Sequence, residues 1–129
     1  MAAVSFARRW ADAYRLAWED GDPAAAAALY RDDCVFRSAP FRAPEPPLSY
    51  TTRVFPEAKA EDVRFGEPVE EGDRATVEWW ATLVLPNGEE HAIAGCSMLR
   101  FDDQGLVVES RDYWHMEPGR RDPSSGWGR

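Results

Sequence analysis

Lysine is nearly missing from this chain. Lys59 is the only one, and arginine supplies the rest of the 15 basic residues against 23 acidic ones. The resulting net charge of −8 and pI near 4.7 disfavour nucleic acid, which needs clustered cations to displace counterions. They equally disfavour docking on anionic membranes. No apolar run approaches the ~20 residues that span a bilayer. The first ten residues, MAAVSFARRW, lack the basic-then-apolar pattern of a signal peptide, so a cytoplasmic location is expected. The two cysteines, Cys34 and Cys96, form neither a disulfide framework nor a CxxC pair and are expected as small buried hydrophobes. The two histidines, His91 and His115, belong to no set at ligand spacing, so no metal is expected. There is no GxGxxG or Walker loop and no GxSxG elbow, which leaves nucleotide binding and serine-type covalent catalysis unsupported, and no cofactor is expected.

Aromatic residues are plentiful instead. Six tryptophans in 129 residues require a core, a pocket or an interface to cover them. Apolar residues Phe6, Trp10, Tyr14 and Trp18 recur at helical spacing through 3–20, with Ser5 as a cap and Gly21 as a terminator. Asp22-Pro23 starts a short alanine-rich helix running to Leu29-Tyr30, which Asp32-Asp33 closes. Residues 34–37 follow as a short strand. The segment 38–47 holds four of the ten prolines, which excludes regular structure there and marks a functional or mobile loop. Residues 48–55 are expected as a short helix and 61–69 as a strand. Three long strands then follow, 74–85, 89–101 and 106–116, joined by Pro86-Asn87-Gly88 and by Asp102-Asp103-Gln104-Gly105. Helices first and consecutive strands after them predict an α+β domain, with helices packed on a curved, mainly antiparallel sheet over residues 1–116. Residues 117–129, rich in Pro, Gly, Ser and Arg, are expected as a flexible tail with Trp127 as its one anchor.

Period-two alternation puts Ser110, Asp112 and Trp114 on one face of the last strand. If that face lines a cavity between sheet and helices, burial raises the Asp112 carboxyl above its usual range and suits it to acid/base work. Trp79 and Trp80 must face opposite sides of the sheet. The one facing outward needs a cover, for which a homodimer across the outer face is the expectation.

The helix end Trp18-Glu19-Asp20-Gly21-Asp22, the run Leu29-Tyr30-Arg31-Asp32-Asp33 and the hairpin Leu99-Arg100-Phe101-Asp102-Asp103-Gln104-Gly105 resemble the NTF2-like superfamily in its SnoaL-like branch of small bacterial proteins. The resemblance covers roughly residues 4–116. It implies a cone-shaped fold with a pocket inside, and a functional range from polyketide cyclases and ketosteroid isomerases to members with no known activity. Arg111-Asp112-Tyr113-Trp114 resembles the last strand of limonene-epoxide-hydrolase-type enzymes. In the same register their Arg-x-Asp pair falls on Trp79-x-Ala81 and their Tyr-x-Asn pair on Phe36-x-Ser38. The partners that epoxide opening needs are thus replaced, and the pocket becomes more apolar. The resemblance implies Tyr14, Phe36, Ser38, Trp79, Ala81, Ser110 and Trp114 as pocket lining for a small apolar or aromatic molecule, with Asp112 as the catalytic acid/base of an isomerase, cyclase or dehydratase. The alternative is a non-catalytic ligand-binding or dimeric assembly module of the same fold. Tyr14, Tyr30, Tyr50 and His91 are the candidate polar partners of Asp112.

Overall fold

The computed structural model describes residues 4–129. Its first helix, α1 (Phe6–Asp20), is capped by the Ser5 hydroxyl, which accepts from the Arg8 amide, and ends on Gly21 in the left-handed conformation (φ 63°) that glycine adopts at no steric cost. The expected start at residue 3 lies outside the described residues. Asp22 caps α2 (Pro23–Ala27). Strand β1 (Tyr30–Arg37) begins four residues earlier than expected, so Tyr30 and the Asp32-Asp33 pair belong to a strand and not to a helix end. After the proline-rich loop come α3 (Pro47–Val54) and a 3-10 turn, Phe55–Glu57.

The expected strand 61–69 is two strands. These are β2 (Lys59–Phe65) and the short β3 (Val69–Glu71), separated at Gly66. The long strands are β4 (Arg74–Val84), β5 (Glu90–Phe101) and β6 (Val107–Pro118). The expected boundary at residue 116 therefore falls inside β6. Sheet order is β1-β6-β5-β4-β2, antiparallel throughout except that β1 runs parallel to β6, with β3 pairing β4. Helices α1–α3 close the inner face, which makes an α+β cone.

Alternation along β4 sends Ala75, Val77, Trp79 and Ala81 inward, all buried. Ala75 and Val77 meet Trp10, Tyr30, Phe36, Leu99, Phe101 and Val107 in the main core cluster. Further along the sheet Trp79, Ala81 and Ile93 pack with Trp18, Trp114 and Met116. Gly95 sits across from Trp79 on β4 and from Trp114 on β6. A Cβ there would stand 2.6 Å from the Trp114 Cβ, so only glycine lets the three strands bend together at that point.

Residues 119–129, expected as a loose end, are placed along the outer face of the sheet. Arg120 pairs with Glu61, Asp62 and Glu90. The Trp80 indole donates to the Arg121 carbonyl at 2.8 Å, and the Trp127 ring meets Trp80 edge-on at 6.0 Å between centroids. The Glu67 amide donates to the Gly128 carbonyl at 2.6 Å. Trp127 is thus the anchor that the sequence indicated, and the outward tryptophan, Trp80, has its cover within the same chain.

Candidate active site

Between α1, α3 and the concave face of the sheet lies a cavity of about 520 Å³. Its wall is chiefly aromatic: Trp10, Tyr14, Trp18, Phe65, Trp79 and Trp114. Trp18 stands edge-on to Trp79 at 5.7 Å, and Tyr14 packs among Trp10, Trp18, Phe55 and Phe65. Helical spacing on α1 delivers Trp10, Tyr14 and Trp18 to this wall, and strand alternation delivers Asp112, Trp114 and Met116.

Asp112 lines the cavity and is half-buried, with enough protein around its carboxyl to desolvate it. One oxygen accepts from the Ser97 hydroxyl at 2.6 Å. Ser97 is buried and in turn accepts from the Trp79 indole at 3.0 Å. The relay Trp79–Ser97–Asp112 thus fixes the direction of the serine proton, since the indole can only donate. Burial pushes the Asp112 carboxyl up to about 7, with the Ser97 hydrogen bond acting in the opposite direction. Among the described residues no cation pairs with Asp112, and no cluster of three His, Cys, Asp or Glu residues could hold a metal.

Tyr14, Tyr30 and Tyr50 line the same cavity. Burial first, and neighbouring charges including Asp112 after it, hold all three phenols above their ordinary range. They therefore stay neutral donors. Tyr30 accepts from the Trp10 indole at 3.2 Å, which leaves its own proton free to point elsewhere. His91 and His115 stand apart from the cavity beside Glu89 and Glu117.

Of the residues expected to line the pocket, Tyr14, Trp79 and Trp114 do so together with Asp112. Phe36, Ser38, Ala81 and Ser110 do not reach its surface. They are buried in the packing behind it, at 2%, 1%, 0% and 0% exposure. Ser38 still bears on the site, because its carbonyl accepts from the Trp114 indole at 2.6 Å and fixes that ring. Ser97, Arg42 and Arg53 line the cavity and were not among the expected residues. Ser97 was out of reach of simple counting. A turn over 102–105 would set Ser97 opposite Ser110, and the observed pairing with Asp112 needs a turn one residue longer and the register shift between Arg100 and Phe101. The two arginines come from the proline-rich loop and α3, for which no periodicity gives a direction.

Residues 7–110 match the family model of the SnoaL-like domain. The match stops two residues short of Asp112. No curated protein sequence matches the chain at a significant level. Solved structures that share the fold include three of particular interest. A ketosteroid isomerase from Mycobacterium sp. superposes with TM-score 0.72 at 19% identity, covering 90% of this chain and 100% of that one. An epoxide hydrolase of the limonene type from Mycobacterium tuberculosis gives 0.69 at 20% identity, covering 85% and 83%. A computationally designed 17-OHP binder gives 0.73 at 16% identity, covering 92% and 100%. At these identities the likeness is one of fold.

Proposed function

The chain belongs to the SnoaL-like domain family, and we propose that it takes one small apolar, ring-bearing molecule into its cavity and moves a proton on it through Asp112 without a cofactor. The observation that carries this is a carboxyl group on the wall of an aromatic cavity, held by a single hydroxyl donor and titrating near neutrality. A base is most effective when its pKa lies close to the working pH. In an enolisable ketone the carboxylate of Asp112 takes a proton from the carbon beside the carbonyl. The C–H bond breaks, an O–H bond forms on Asp112, and the electron pair moves onto the carbonyl oxygen. Tyr14 and Tyr50, neutral donors on the same cavity, are the groups we assign to stabilise that oxygen's charge. Return of the proton from Asp112 to a different carbon completes an isomerisation.

Incubation with 2-tetralone in D2O tests this by NMR. Wild type is expected to speed deuterium incorporation over buffer, and Asp112→Asn to lose about 10²-fold or more of that acceleration. Equal rates in the two proteins would remove the catalytic role. Stabilisation of both proteins by the ketone without exchange would instead support a second reading, a binding module. That reading has its own support: the cavity interior holds one carboxyl and no histidine, and the designed binder of the same fold is named for binding alone.

A homodimer through the outer sheet face remains a proposal on narrower ground, because the tail covers Trp80. What supports it is an exposed apolar set on the outer face of β1, β5 and β6, namely Val35, Met98 and Tyr113. Sedimentation at micromolar concentration is expected to give twice the chain mass, and a monomer would end the proposal.

A further inference from the structure

The mouth of the cavity carries two cations with different commitments. Arg53 is engaged by Glu45 through two hydrogen bonds, at 2.7 and 3.0 Å. Arg42 forms no ion pair among the described residues. Its guanidinium lies over the Trp114 ring, 5.5 Å from the centroid, and donates to the Ser38 hydroxyl at 3.1 Å. Ser38 is buried and holds Trp114 as well, through its carbonyl. The loop is fixed at the same point. The Arg42 amide closes a turn onto the Ala39 carbonyl at 3.2 Å, and the Glu45 amide donates to the Phe36 carbonyl at 3.0 Å. One residue therefore seats both the ring that walls the cavity and the cation that stands above it. An arginine stacked this way keeps its remaining N–H donors in a fixed plane and pre-organised for an anion.

We propose that the molecule bound in this cavity is a monoanion, an apolar ring body carrying a carboxylate or similar acidic group, and that Arg42 receives the acidic group at the mouth. The inference rests on the ligand pocket proposed above. Charge fixes the orientation. An anion at the bottom of the cavity would meet the carboxyl of Asp112, whereas at the mouth it meets the one cation not already paired. Glu57, the other carboxylate lining the cavity, lies in the field of Arg53. With the acidic group on Arg42, the apolar body lies along Trp114 toward Asp112.

Two fluorescent probes with the same body separate the pocket from the charge. These are 8-anilinonaphthalene-1-sulfonate and its uncharged counterpart N-phenyl-1-naphthylamine. The full chain is expected to bind both at one site, each displacing the other, and to prefer the sulfonate by about tenfold. Arg42→Gln should abolish that preference, lowering the sulfonate's affinity far more than the neutral probe's. Arg42→Lys should keep part of it, since charge remains but the planar fork is lost. Raising salt from 50 to 500 mM should narrow the gap, because the mouth is open to solvent. Equal affinity of wild type for the two probes, or a preference that survives Arg42→Gln, would overturn the assignment of Arg42 and leave the pocket standing. Failure of both probes to bind, or to compete, would overturn the pocket and the inference with it.

Discussion

Asp112 is costly to the fold in its charged form, and that cost has a sign. Its folded pKa, about 7, lies above the ordinary carboxylate value of 3.8. The folded state therefore holds a proton that the unfolded chain has released between those values. Stability contributed by the protonated form is complete below about pH 4 and declines as pH rises to about 7, by about 4 kcal/mol at most. Asparagine at this position does not titrate. Wild type should accordingly lose several degrees of Tm relative to Asp112→Asn between pH 5 and pH 8 by scanning calorimetry, and parallel curves would contradict the burial argument. Ser97→Ala removes the donor that favours the carboxylate and leaves the Trp79 indole without its acceptor. It should destabilise by roughly 1–3 kcal/mol in denaturant unfolding and move the Asp112 titration upward. At this scale the sequence was informative wherever a strand set the direction. Asp112 and Trp114 shared a face by alternation, Trp79 was set inward by the family resemblance, and Ser97 was missed because its pairing depends on the register shift between Arg100 and Phe101. Phe36, Ser38, Ala81 and Ser110 were placed on the correct inward face but one layer too far forward. Period two distinguishes inward from outward, and says nothing of which inward residue the helices then cover.

The hairpins β4–β5 and β5–β6 were legible because their turns are local chemistry, Asn-Gly in one and Asp102 in the other, whose carboxylate accepts from the Gln104 and Leu106 amides. The parallel pairing of β1 with β6 joins residues some 75 apart, as in Phe36 with Ser110, and nothing local announces such a contact. Tyr30 shows how this misleads. Its apolar neighbours Ala28 and Leu29 continue the alanine-rich helix on paper, but a place in the main core cluster beside Trp10 and Phe36 draws it into the strand. Two glycines test the elements directly. Gly95→Ala would press β5 against the Trp114 backbone and side chain. A loss of about 1–3 kcal/mol is expected by urea unfolding, with weaker binding of the neutral probe as Trp114 shifts. Gly66→Ala would place a Cβ 2.7 Å from the Gly128 Cα and should lift the tail. The expected signs are a red shift in tryptophan fluorescence as Trp80 and Trp127 separate, and faster amide exchange in residues 119–129. An unchanged spectrum would count against the tail as a seated element.

As a whole the molecule is an acidic cone with an aromatic interior, and its charge is unevenly spent. Most of the 23 acidic residues lie on outer surfaces, where Arg120 ties three of them to the tail, while the cavity is lined by Asp112, by the exposed Glu57 and by Arg42, which has no ion pair among the described residues. No helix of the described residues is long and apolar enough to cross a membrane. The fold as a class was readable from the order of helices and strands. The tail was not, because its anchoring depends on Trp80 facing outward and on a close approach of two glycines that no composition signals. The central claim is that this architecture keeps a carboxyl near neutrality inside an apolar cavity. A ¹³C NMR titration of the Asp112 side-chain carboxyl measures it most directly. The expected midpoint is near pH 7, rising further in Ser97→Ala; a midpoint near the ordinary carboxylate value of about 4 would contradict it.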